Sequence, residues 1–194
     1  IAPMTKHSTT MKLRFTTYHR AARGAKLGQQ VLEKIEFEFL VAGCRAAFMD
    51  RFVLDAVGKR IRQAAVLGSG MDTRAYRLDL PPQMRIVEVD EAAVHEAKAA
   101  ALHDQSTRCS VRRAAVDLPG GAVGAGALQE ALASSLDCRR PSLFVLDGAL
   151  EAWAPEAGAA ALAAAVAVAA EGSIISGAAG GGPGPGSGCS EVVG

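Results

Sequence analysis

The sequence predicts an α/β domain built on a mostly parallel β-sheet, and three observations carry that prediction. Short apolar runs alternate with helix-length stretches from residue 63 to residue 176. Such alternation implies right-handed crossovers between parallel strands. The first run, Gln63 to Leu67, ends in Gly68-Ser69-Gly70, and glycine lets a backbone adopt positive φ and approach a ligand closely. The second run, RIVEV over Arg85 to Val89, is followed by Asp90, 20 positions after Gly70. Ligands of open α/β sheets bind at the carboxyl ends of strands, where both features stand.

Each element follows from local pattern. Leu32 to Gly58 reads as a helix, because Leu40, Cys44 and Phe48 recur at spacing four, as do Val53 and Val57, giving one apolar stripe. Gln63 to Leu67 is a buried strand. Thr73 to Leu78 is a short helix with Asp72 as its N-cap, stopped before Pro81-Pro82, which cannot continue it. Arg85 to Val89 is a strand of β-branched alternation. Glu91 to His103 is a helix whose acidic start suits its dipole. Ser110 to Val116 is a strand, Ala125 to Leu136 a helix, and Ser142 to Leu146 a strand. Pro155 to Ala170 is an alanine helix with proline at its start, and Ser173 to Ser176 is the last strand. After Gly177 comes GAAGGGPGPGSG-type sequence, which buries too little apolar surface to offset its ordering entropy.

Three segments follow: a basic, flexible N-terminal arm over 1–30, a ligand-binding domain over 31–177, and a disordered tail over 178–194. The first 32 residues contain no acid and carry Lys6, Arg14, Arg20, Arg23 and Lys26 among many Thr and Ser. That composition suits an organelle transit peptide as well as a flexible arm. With 194 residues the chain can bury a sizeable core. Its net charge of +1 predicts no nucleic-acid partner. The alanine run Ala157 to Ala170 ends at Glu171 and is too short to span a bilayer, so no membrane partner is predicted either. Cys44, Cys109, Cys138 and Cys189 stand far apart, which argues against structural zinc, against any other metal cluster and against a disulfide framework. A reducing, cytoplasmic compartment is expected, with an organelle as the alternative. His95 and His103 have no partner pattern and read as surface residues.

The glycine turn and Asp90 fit two adenosine cofactors, since an acid ending the second strand can accept from both ribose hydroxyls. A nicotinamide dinucleotide wants a third glycine and a long helix facing its pyrophosphate. Here Thr73 takes the glycine's place, and Asp72 puts a negative charge where pyrophosphate would sit. S-adenosylmethionine carries a sulfonium and an ammonium instead, so an acid near its loop is no obstacle. A glycine turn between strand and helix is also very often only a turn.

The longer strings narrow the choice. LGSGMDTRAYRL and IVEVDEAAVHEAKAAAL, with CRAAFMD upstream and AAVDL and PSLFVLDGALEAW downstream, resemble the leucine carboxyl methyltransferase family and its bacterial S-adenosylmethionine-dependent relatives. The resemblance runs from about Phe39 to Gly177, with five segments in family order. It departs from the family at Ala46, where threonine is usual, and at Asp147, where glutamate is usual. It implies a Rossmann-like class I methyltransferase sheet of strand order 3-2-1-4-5, here expected to lack the family's C-terminal strands and to leave the fifth strand as a bare edge.

The resemblance further implies S-adenosyl-L-methionine as cofactor and assigns its residues. Arg45 would bind the cofactor carboxylate, a task suited to a guanidinium fork. Gly68, Ser69 and Gly70 would line the cofactor, and Asp90 would hold the ribose or cap the following helix. Asp117 and Leu118 would flank the adenine. Asp72, Thr73 and Asp147 would lie near the methionyl end. Arg74 and Arg77 read as ion-pairing or covering residues, and Trp153 as packing beside the site mouth or in the core. The implied reaction is in-line displacement on the sulfonium methyl by an oxygen of a small-molecule or protein acceptor. A carboxylate acceptor is ionised at neutral pH and needs no general base, whereas a hydroxyl would need one, and no catalytic residue is assigned. Two other readings stand beside this one: a truncated, inactive interaction module, and a nicotinamide-binding domain.

Overall fold

The computed structural model describes residues 29–117, 122–178 and 192–193. Helix α1 (Gln29–Gly58) opens the chain, followed by β1 (Gln63–Leu67), the one-turn α2 (Arg74–Arg77), β2 (Arg85–Asp90), α3 (Ala92–Ala101) and β3 (Ser110–Ala115). Then come α4 (Ala122–Ala133), β4 (Leu143–Asp147), the one-turn α5 (Ala149–Ala152), α6 (Pro155–Val168), β5 (Ile174–Ala178) and β6 (Val192–Val193). The predicted arm over 1–30 lies outside the described residues, except that Gln29 and Gln30 already belong to α1. The chain divides into two compact units between Arg51 and Phe52, inside α1.

In the first unit the expected stripe is not the covered face. Leu40 and Phe48 are exposed, as is Cys44. A helical stripe records which residues share a face, and only tertiary packing decides whether that face is covered.

In the second unit the strands are ordered β3-β2-β1-β4-β5-β6. The first four pairings are parallel, so the expected order 3-2-1-4-5 is present. The chain starts at the centre, winds outward through β2 and β3, then returns to the other side of β1. That reversal opens a crevice beyond the carboxyl ends of β1 and β4. All five residues of β1 are buried, because a parallel sheet is covered on both faces. The core joins Leu67, Val89, Phe144 and Leu146 of the sheet to Leu128 and Leu132 of α4 and to Ala161, Ala165 and Val168 of α6. The buried positions of α6 include Ala157, Ala161, Ala164, Ala165 and Val168, one helical face of small side chains that lets the helix pack close.

The fifth strand, expected as a bare edge, has a partner among the described residues. Ala178 continues β5, and Val192–Val193 pairs antiparallel with Ile174 and Ile175. An edge strand leaves N–H and C=O groups unpaired, and these valines are the only β-branched residues of the tail. The other tail residues lie outside the described residues.

Two buried polar clusters tie the sheet together. The Gln63 side chain donates to Asp137 O, Arg140 O and Ser142 Oγ at 2.9, 3.0 and 2.8 Å, and its carbonyl accepts from Asp137 N–H at 3.0 Å. The amino end of β1 is thereby fastened to the loop preceding β4. On β2, Glu88 forms an ion pair with Lys98 of α3 at 2.8 Å, with Nζ not aligned as a hydrogen-bond donor. Arg113 of β3 lies 3.4 Å from the other Glu88 oxygen and donates to Tyr76 Oη at 2.8 Å. His95, expected at the surface, is buried; its Nε2 lies 3.1 Å from Ala114 O. The expectation failed because an isolated histidine carries no sequence signal for which face of α3 meets the sheet.

Cys109 is buried, and burial, with the negative charge of Glu88 second, pushes its thiol above the ordinary range. The thiolate is the nucleophile, so a raised pKa means less of it at neutral pH. Cys109 is therefore expected to alkylate with iodoacetamide far more slowly than the exposed Cys44 and Cys138, catching up only as pH rises. Peptide mapping of a time course from pH 7 to pH 10 checks this, and equal rates at pH 7 would contradict it.

Candidate functional site

The site is built from the second unit, where the carboxyl ends of β1, β2, β3 and β4 lie side by side. After Leu67 the chain turns sharply, with Gly68 at φ 64° and Gly70 at φ 42°. Both values fall where side chains with a Cβ are disfavoured. The N–H groups of Gly68 and Ser69 donate to Val89 O at 3.0 and 3.2 Å, and Asp72 N–H donates to Ser69 O at 2.8 Å, closing the turn.

The two glycines serve different ends. A Cβ on Gly68 would stand 2.8 Å from Trp153 Cζ2 and 2.9 Å from Ala149 Cβ. The space beside Gly68 is thus filled by α5 and the indole after it. A Cβ on Gly70 would meet nothing within 4 Å. Gly70 is the glycine that faces open space, and it has room for a ligand.

Asp90 holds this turn in place. Its Oδ2 accepts from Gly70 N–H at 2.6 Å and its Oδ1 from Glu91 N–H at 2.8 Å. Asp90 does not cap α3, since the N-cap position belongs to Glu91. Each carboxylate oxygen keeps a further lone pair for a ligand hydroxyl. Ser69 is buried, and its hydroxyl has no partner among the described residues. Val116 N–H donates to Asp90 O at 2.9 Å, which places the next residue, exposed Asp117, just past the end of β3. Leu118 lies outside the described residues. Arg45 belongs to α1 in the first unit.

At the switch point between β1 and β4 an arginine dominates. Arg74, 6% exposed, donates from Nη1 to Asp72 and from Nη2 to Asp147, each at 2.5 Å. Asp72 Oδ1 also accepts from Arg74 N–H at 2.7 Å. Asp72 therefore precedes α2 as a turn residue bonded to the backbone two positions on, while the N-cap position is Thr73, whose side chain makes no capping bond. The expected capping residue was one position early because α2 is a single turn. Thr73 Oγ1 accepts from Arg77 Nε at 3.2 Å. Asp72, Thr73 and Asp147 are thus all engaged by arginines. Arg74 offsets the charge of Asp72, so Asp72 would repel a pyrophosphate less than its place in the sequence implies.

Sequence reasoning included most of these residues but missed the central role of Arg74 and the Glu88–Lys98 pair. A signal for the latter exists: an acid in the middle of the apolar strand RIVEVD must find a buried cation. Among the described residues no group of His, Cys, Asp and Glu could hold a metal ion, and no helix is long and apolar enough to cross a membrane.

Comparison with known proteins is consistent with this geometry. The family described as leucine carboxyl methyltransferase matches residues 9–166. A Mycobacterium avium (strain 104) protein named "Putative S-adenosyl-L-methionine-dependent methyltransferase" is 40% identical over 116 residues, which cover 58% of this chain and 35% of that protein. A Saccharopolyspora erythraea protein of the same name is 36% identical over 132 residues, covering 68% of this chain and 45% of that protein. The chain thus spans between a third and a half of the length of these curated relatives. A solved structure of a DUF574 family protein from Streptomyces avermitilis superposes with a TM-score of 0.55 at 18% identity, over 69% of this chain and 52% of that one, which supports the fold.

Proposed function

Because the chain belongs to the leucine carboxyl methyltransferase family, we propose that it binds S-adenosyl-L-methionine beyond the carboxyl ends of β1 to β4 and takes part in methyl transfer to an oxygen acceptor, a carboxylate or a hydroxyl. The observation that carries the proposal is Asp90, which holds Gly70 by its N–H while retaining acceptor capacity at the end of the second strand. The residues present fit the cofactor. Gly70 leaves open space where a Cβ would project, and the Ser69 hydroxyl is a buried polar group without a partner among the described residues. Asp72 and Asp147, joined through Arg74, bring two carboxylates to the side where the cationic methionyl end would lie. Asp90 would hold the ribose, Asp117 and Leu118 the adenine, and Arg45 the cofactor carboxylate, as the family segments suggest. When bound, the cofactor supplies an electrophilic methyl group. The chain's own residues position the reactants, and a carboxylate acceptor is favoured because it needs no general base.

The test is calorimetric titration with S-adenosylhomocysteine and, separately, NADH. Binding of S-adenosylhomocysteine alone is expected. Asp90→Ala removes a charged acceptor and frees Gly70, so affinity is expected to fall by about tenfold to a hundredfold. NADH binding in place of S-adenosylhomocysteine, or a folded chain that binds neither, would refute the proposal. Methyl transfer from labelled cofactor to matched carboxylate and hydroxyl acceptors then decides the acceptor class.

A further inference from the structure

The amino-terminal end of the sheet carries a cavity that the proposed function does not use. It measures about 580 Å³ and is lined by Arg60, Arg62, Arg85 and Arg140, with Gln63 and a single carboxylate, Asp137. These residues stand at or beside the amino ends of β1, β2 and β4, one strand length of roughly 15 Å from the glycine turn. The volume falls within the usual range for small-molecule sites.

Three of the four guanidiniums are uncommitted. Arg62 donates to Val57 O and Ile61 O at 2.7 and 3.0 Å and so closes the end of α1. The side chains of Arg60, Arg85 and Arg140 have no hydrogen-bond acceptor or ion-pair partner among the described residues. Asp137 is held mainly by Arg139, whose N–H donates to its Oδ1 at 3.1 Å and whose Nε lies 3.5 Å away, and it feels the charge of Arg140 more weakly, so one carboxylate faces several guanidiniums. Gln63 is spent on the loop before β4, holding Asp137, Arg140 and Ser142 by their backbone or hydroxyl groups. The loop that carries Arg140 is therefore anchored.

Arg60 adds an independent observation. Its N–H donates to Val57 O at 3.0 Å and Ile61 N–H donates to Ala56 O at 3.1 Å, the paired bonds that end a helix on a left-handed residue. Glycine is the usual occupant of that position, yet Arg60 adopts φ 66° there. A side chain held at a strained φ needs a reason outside local folding. At this position the guanidinium joins Arg85 and Arg140 around the cavity.

We propose that this cleft is a binding site for a small phosphate-bearing anion, held by Arg60, Arg85 and Arg140. Guanidinium forks match phosphate oxygens in pairs, and the cavity exceeds a bare phosphate, leaving room for an organic remainder against Met84.

The probe is inorganic pyrophosphate, titrated calorimetrically at low and matched ionic strength. Wild-type chain is expected to bind it, and Arg85→Gln and Arg140→Gln are each expected to weaken binding about tenfold. Arg60→Gly separates binding from folding: relief of the left-handed arginine is expected to raise Tm by roughly 2–4 °C while affinity falls. Saturation with S-adenosylhomocysteine is expected to leave pyrophosphate binding unchanged. Absence of binding by wild type, unchanged affinity in the variants, or displacement by S-adenosylhomocysteine overturns the site. A phosphoserine peptide that binds tenfold more tightly than pyrophosphate overturns the small-molecule assignment in favour of a protein-borne phosphate.

Discussion

Replacing Glu88 with alanine is expected to destabilise the domain by about 3–5 kcal/mol. The variant leaves the Lys98 ammonium, which has no exposed surface, inside the sheet–helix layer with its counter-ion gone. Arg113, 32% exposed on its side chain, can turn to water, but Lys98 cannot. The asymmetry is itself testable. Lys98→Met removes the buried cation yet leaves Glu88 beside Arg113, so its cost is expected to be smaller. Glu88→Leu combined with Lys98→Met removes both charges and is expected to recover most of the loss, since a buried pair often does no better than apolar residues of similar volume. Urea denaturation followed by the single tryptophan, Trp153, measures all three. A Glu88→Ala cost below about 1 kcal/mol would be the signature of a solvent-accessible pair and would contradict the burial.

Gly68→Ala is expected to cost about 2–5 kcal/mol, combining overpacking against Trp153 and Ala149 with a left-handed backbone. The contact distances of 2.8 and 2.9 Å leave no room for a methyl unless α5 moves. Trp153 fluorescence is expected to shift in the same variant, because the indole must yield first. Gly70→Ala makes the contrast. Its Cβ enters open space, so the stability cost is only the backbone term of about 1 kcal/mol, whereas S-adenosylhomocysteine affinity is expected to fall sharply. Two glycines of one motif should therefore separate: the first fails in folding, the second in binding. Equal stability losses at the two positions would show that Gly68 and Gly70 share one role.

The strand–helix alternation, the parallel order and the placing of Asp90 against the glycine turn were all readable in the sequence. They rest on local periodicity, turn chemistry and chain-order rules, which act within short stretches of chain. The sequence also held the family segments that name most of the candidate residues. It did not show that Gly68 is emptied for Trp153, that Arg74 links Asp72 to Asp147, or that His95 is buried. It missed the antiparallel pairing of Val192–Val193 with β5 and the cleft formed by Arg60, Arg85 and Arg140. Each of these joins residues far apart in the chain, and no local propensity encodes such a meeting. The sequence by itself determined which elements form and in what order they wind. Only the tertiary structure decided which charges are paired, which glycine has room beside it and which arginines are left to face a cavity, because burial and partnership are properties of the packed chain.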